Sequence, residues 1–168
     1  MSYHDDPELM ERLYAAFRAT PLHALLGIEF ADDPATADIS DPSAEVVVKM
    51  PVRAEAYGSS GNLHGGAIAT MVDLACALAA VGISGFDPER ESLVTSDMHI
   101  RYLGRPRSDT VIAKADVVKK GSQLIVVACE VVDEGDHVIA VADFSMMLVA
   151  LRAPLHEDDP TVVGAPEL

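Results

Sequence analysis

Apolar residues recur along this chain with two different periods. Leu9, Leu13 and Phe17 lie four apart, the spacing of one helix face, and predict a helix over about 7–19. Asp6-Pro7 suits its start, because a side-chain acceptor and then a proline favour the first turn. Thr20-Pro21 ends it. Residues 22–26 form a short turn and 27–32 a strand, followed by the acidic linker ADDPATADISDPS. A second strand covers 43–51, SAEVVVKMP, and a loop with Gly and Ser covers 52–64. Residues 65–82 are apolar almost all round and predict one long helix, broken by Gly82 and the segment Gly85–Glu89.

The second half changes period. Residues 92–103, 109–119, 122–133 and 137–149 are rich in Val, Ile and Leu and predict four strands. Their turns are Gly104-Arg105-Pro106, Lys120-Gly121 and Glu134-Gly135-Asp136. Two of these are short enough for hairpins, so the sheet is antiparallel. In the last strand Val138, Ala140, Ala142, Phe144, Met146 and Leu148 form one apolar face; the other is mixed. A helix that is apolar on every side must be covered on every side. Six antiparallel strands curling around one central helix achieve that, an α+β architecture. The domain reading is an N-terminal helical segment over 1–26, the main domain over 27–151, and a loose acidic tail over 152–168.

Composition narrows the function. The chain has 168 residues and a formal net charge of −15. Nucleic-acid binding needs clustered Lys and Arg, so no nucleic-acid partner is expected. The two cysteines, Cys76 and Cys129, lack CxxC spacing and fit buried free thiols in a reducing compartment. The acidic N-terminus resembles no secretory signal. Asp73 sits at the centre of the apolar run, where a membrane would penalise it. These features predict a cytoplasmic protein with no membrane partner. No pair among the six histidines has a trusted metal-ligand spacing, so no metal is expected. Neither a GxSxG elbow nor a GxxxxGK[ST] loop occurs.

The chemistry concentrates in SSGNLHGGAIATMVDLACALAA, residues 59–80. Gly65 and Gly66 fall where the long helix begins. The first N–H groups of a helix have no internal partner and carry the positive end of its dipole. Glycines let a ligand come close to them. A thioester carbonyl turning into an oxyanion would be stabilised there. His64 can position the substrate or orient the loop. Asp73 is either a satisfied structural carboxylate or a base or nucleophile. Gly65 and Asp73 stand eight residues apart on one helix, about 12 Å. One carbonyl cannot touch both, so if both are catalytic the sites are composite and the protein is at least a dimer.

The segments GNLHGGAIATMVDLA and VTSDMHIRYLGRP resemble the hotdog-fold acyl-CoA thioesterases, in the branch of phenylacetyl-CoA thioesterases and the mammalian thioesterase superfamily member 2 proteins. The resemblance covers roughly 43–150. It implies a hotdog fold, a homodimer or homotetramer, and hydrolysis of an acyl-CoA to a carboxylic acid and CoA with no cofactor. It makes Gly65 the donor that polarises the carbonyl and Asp73 of the neighbouring subunit the group that activates water or attacks. His64 helps to position the thioester, and Thr95 orients the water. Relatives often carry Asn or Gln six residues before the motif His, where this chain has Gly58; Asn62 lies nearby at another offset.

Residues 98–120 hold Arg101, Arg105, Arg107, Lys114, Lys119 and Lys120 against Asp109 and Asp116, a cationic stretch suited to CoA phosphates. Lys119-Lys120-Gly121, at a hairpin turn, is the favoured part, with Gly66 and Arg101 also candidates. Met71, Leu74 and Leu78 are candidate lining for the acyl group. Two other readings stand beside hydrolysis: a hotdog hydratase or dehydratase of acyl thioesters, and a non-catalytic acyl-CoA binding module. Largely apolar outer faces on strands 122–133 and 137–149 favour a tetramer.

Overall fold

A computed structural model describes residues 7–31, 46–87 and 90–151. The tail over 152–168 and all but the first residue of the acidic linker lie outside the described residues. The elements run α1 (Pro7–Ala19), α2 (Pro21–Leu26), β1 (Glu29–Phe30), β2 (Val46–Pro51), a 3-10 turn (Ala54–Ala56), α3 (Gly65–Ser84), β3 (Glu91–Tyr102), β4 (Thr110–Lys120), β5 (Leu124–Asp133) and β6 (Val138–Ala150). The strands form one sheet in the order β1-β2-β4-β5-β6-β3, every neighbour antiparallel. The sheet curls around α3, the hotdog architecture that the sequence resembles.

Three local expectations change. Residues 22–26 are helical, because Pro21 opens a new helix with the φ it already has. The strand expected over 27–32 shrinks to Glu29–Phe30. Gly82 does not break α3; it is buried within the helix, and the stop comes at Gly85 in the left-handed region (φ 65). On α1 the burial centres on Tyr14, whose ring meets Phe30 edge-on at 5.1 Å, while Leu13 and Phe17 are half-buried.

The core is α3 against the concave face of the sheet. Met71, Val72, Ala75, Cys76 and Leu78 are fully buried there, facing Val48, Val111, Val127 and Phe144. Met71, Leu74 and Leu78 are therefore core packing and not an open groove. By length and composition α3 could cross a membrane, but 72% of its most apolar window is buried inside the protein. Cys76 and Cys129 are free and buried. Hydrogen bonding with Cys129, and then burial, push the Cys76 thiol up, so it stays protonated.

Burial leaves two connected surfaces open. Ala69, Thr70, Asp73 and Ala77 form a half-buried stripe along α3. β3 is an edge strand, paired to β6 on one side only. The stripe and the edge meet where Thr95 touches Asp73.

Candidate active site

The loop before α3 is fixed by its own backbone. Gly58 N–H donates to Asn62 C=O at 2.7 Å and His64 N–H to Ala56 C=O at 2.7 Å. This delivers His64 as the N-cap of α3, its Nδ1 accepting from Gly66 N–H at 2.8 Å. Ala67 and Ile68 N–H turn back to His64 C=O. Of the first four helix donors, Gly65 N–H is thus the one with no acceptor among the described residues. It lies at the positive end of a 20-residue helix.

Each glycine of the pair lies under a ring. A Cβ on Gly65 would stand 3.3 Å from Tyr102 Cζ, and one on Gly66 would stand 2.8 Å from His64 Nδ1. Any side chain at Gly66 would push the imidazole off its hydrogen bond. Gly58 faces the other edge of the same imidazole, its Cβ direction 3.3 Å from His64 Cδ2. Gly58 therefore abuts His64 and offers it no side-chain polar group.

Asp73 is half-buried on α3 and accepts the Thr95 hydroxyl at 3.1 Å. A bulge in β3 makes this contact possible. Thr95 pairs with Met146 and Asp97 with Ser145, so Ser96 has no opposite number. Before the bulge the odd residues Leu93 and Thr95 face α3; after it the even residues Met98, Ile100 and Tyr102 do. Thr95 and Tyr102 are seven apart, which would place them on opposite faces of a regular strand. The bulge brings both to the helix, Thr95 at Asp73 and Tyr102 at Gly65, whose C=O accepts the phenol hydroxyl at 3.0 Å.

The cationic stretch does not gather at one place. Arg101 lies on the outer face in an exposed ion pair with Asp143 at 3.5 Å. Lys114 pairs with Asp136. Lys120 Nζ donates to Ile83 C=O at 2.7 Å, at the far end of α3, about 27 Å along the helix from Gly65. Lys119 is exposed at the same end, and Gly121 closes the hairpin by donating to Leu124 C=O. Lys119, Lys120 and Gly121 sit together at the β4–β5 turn, where Lys120 serves the negative end of the helix dipole, away from Gly65 of its own chain.

Arg105 and Arg107 lie against the loop that precedes Gly65. They line a cleft of about 280 Å³ together with Tyr57, Asn62, Leu63 and Asp109. The Asn62 amide donates to Ser60 Oγ at 3.1 Å within the loop. The rim of this cleft is held by Asp133, a buried carboxylate. It accepts from the N–H groups of Arg107 (2.9 Å), Gly135 (3.0 Å) and His137 (3.0 Å). These bonds, led by that from Arg107, hold its carboxyl below the usual range, against the opposing effect of burial; the nearby His137 adds to the lowering. Among the described residues no group of three or more His, Cys, Asp or Glu could hold a metal. Tyr102, the cleft and Asp133 were absent from the sequence-based candidates, although Tyr102 lies inside VTSDMHIRYLGRP.

Residues 60–140 match the family model of the Thioesterase superfamily. The matched stretch contains the HGG-to-Asp segment that carries the resemblance. Comparison with curated proteins gave no match. Solved structures share the fold at low identity. A mutant thioesterase from Pseudomonas aeruginosa is 24% identical with a TM-score of 0.70, covering 84% of this chain and 94% of its own. A thioesterase from Haemophilus influenzae is 22% identical with a TM-score of 0.69, covering 88% and 94%. The PaaI protein of the Escherichia coli phenylacetic acid degradation operon is 21% identical with a TM-score of 0.66, covering 83% and 91%.

Proposed function

We propose that this protein hydrolyses acyl-CoA thioesters at composite sites between two subunits. The observation that carries the reading is the unengaged Gly65 N–H at the start of α3, with a hydroxyl-bound carboxylate further along the same helix. The thioester carbonyl accepts from Gly65 N–H, which stabilises the oxyanion as it forms. Asp73 of the partner subunit takes a proton from water, and the hydroxide attacks the carbonyl carbon. The tetrahedral intermediate collapses, the C–S bond breaks, and the proton passes to the leaving thiolate. Products are a carboxylic acid and CoA. No metal or redox cofactor takes part. Thr95 holds the carboxylate oriented, and Arg105 and Arg107 hold the CoA phosphates in their cleft.

The need for a partner follows from the separation of about 12 Å between Gly65 and Asp73 along one helix. The free edge of β3 supports it. A 12-residue edge strand is a template for pairing, and a second copy meeting it antiparallel closes the sheet edge. Outer-face Val94, Met147 and Leu124 sit in register across three strands and are exposed, which supports a further subunit contact. Its two free buried thiols support the reading of a cytoplasmic protein.

Two measurements test this. A thiol-release assay over short, aromatic and long acyl-CoAs should find at least one substrate; none would reject the reading. Mixing Gly65→Val and Asp73→Asn chains, each inactive alone, should restore roughly a quarter of wild-type activity, because each mixed dimer keeps one intact site. No recovery would reject the composite site.

A further inference from the structure

One peptide group joins three residues at the entrance of α3. The Tyr102 hydroxyl donates to the C=O of Gly65 at 3.0 Å. The N–H of that same peptide, carried by Gly66, donates to His64 Nδ1 at 2.8 Å. A donor on the carbonyl and an acceptor on the N–H polarise one peptide in the same sense, so each bond strengthens the other. A peptide between two glycines also rotates with little resistance. If it turned over, Gly66 N–H would leave the imidazole; the helix bond at Gly65 C=O opposes that, and the Tyr102 hydroxyl on the same carbonyl adds to the opposition.

We propose that Tyr102 is a positioning residue for His64. Its hydroxyl, acting through the Gly65–Gly66 peptide, holds the imidazole in the tautomer with Nδ1 bare and the proton on Nε2. A neutral imidazole has one donor and one acceptor nitrogen, so fixing Nδ1 as acceptor makes Nε2–H the donor. His64 is exposed, and Nε2 has no partner among the described residues. His64 therefore meets a substrate as a hydrogen-bond donor beside Gly65 N–H, and not as a base. The packing agrees with this: the phenol ring lies in tight contact with the Cβ position of Gly65 (3.3 Å), and the imidazole leaves no room for a Cβ on Gly66 (2.8 Å). The two glycines are the gaps into which the two rings fit.

The tautomer part stands on geometry alone; its effect on turnover rests on the thioesterase reading. The test compares wild type with Tyr102→Phe, which keeps the ring against Gly65 and removes only the hydroxyl. Nitrogen-15 shifts of the His64 ring, assigned by their loss in His64→Asn, are read at a pH where the ring is neutral. Wild type should show the Nε2–H tautomer, and the Phe variant a mixture of both. In thiol release kcat should fall about tenfold, the size of one lost hydrogen bond, while KM changes less than about twofold. An unchanged tautomer, or a kcat equal to wild type, overturns the proposal. If wild type releases no thiol from any acyl-CoA, the thioesterase reading fails, and the nitrogen shifts still decide whether Tyr102 sets the imidazole.

Discussion

Thr95 on edge strand β3 donates its hydroxyl to Asp73 on the central helix at 3.1 Å. A carboxylate held this way keeps one oxygen engaged and the other open to a water. Thr95→Val preserves the shape and removes the donor. We expect kcat to fall about tenfold with KM little changed, since a hydrogen bond to a charged group is lost. Thiol release against acyl-CoA concentration checks it.

Asp73→Asn should be more severe. The amide keeps the contact with Thr95 but cannot take a proton from water. A loss of about 10²–10⁴ in kcat is expected for removal of a general base. Because Asp73 is only half-buried, the melting temperature should stay close to wild type. A folded Asp73→Asn protein with near-normal turnover would remove Asp73 from the mechanism.

The two groups of cations should separate by phenotype. Arg105→Ala and Arg107→Ala should raise KM for acyl-CoA and affect a short thioester without the nucleotide much less. Lys120→Met should leave KM alone and lower stability by about 0.3–1 kcal/mol, the usual value of a cation at a helix C-terminus. Denaturant melts and steady-state kinetics on the same preparations distinguish the two.

Asp133 predicts an acid-sensitive cleft. Its carboxyl is held below the ordinary value, so the stability it contributes is complete above about 3.9, the unfolded-state value, and is lost as pH falls through the lower native one. Asp133→Asn cannot offer two acceptor oxygens to the three N–H groups. Wild type should therefore melt higher than the variant at neutral pH, and the gap should close in strong acid. Thermal melts from pH 7 to pH 2 give this curve, and a constant gap would contradict it.

Much of this was legible in the chain. A long apolar stretch opening on His-Gly-Gly can only be a covered helix, and the hairpin turns before β5 and β6 point to an antiparallel sheet. Gly65, His64 and Asp73 stand out because they are polar or bare where everything nearby is greasy. The cationic stretch misled for a physical reason. Consecutive strand residues point to opposite faces, and residues at opposite ends of an 11-residue strand are far apart. Arg101, Arg105 and Lys120 are close in sequence and separate in space. Tyr102 was hidden for a related reason, since counting by twos from Thr95 puts it on the outer face.

The extra residue at Ser96 has a further consequence, for how this chain can change over time. The strand is split into two reading phases, one set for the carboxylate and one for the helix entrance. Losing Ser96 would merge the phases into one regular strand, with Thr95 and Tyr102 six apart and both still on the α3 face; closing the bulge without losing a residue would turn one of them away, with no side chain of the site itself altered. A residue inserted between them without a second bulge would also turn one of them away. The length of β3 and its bulge must therefore change together, an odd interval with a bulge or an even one without, while the identities of the intervening residues stay free to drift.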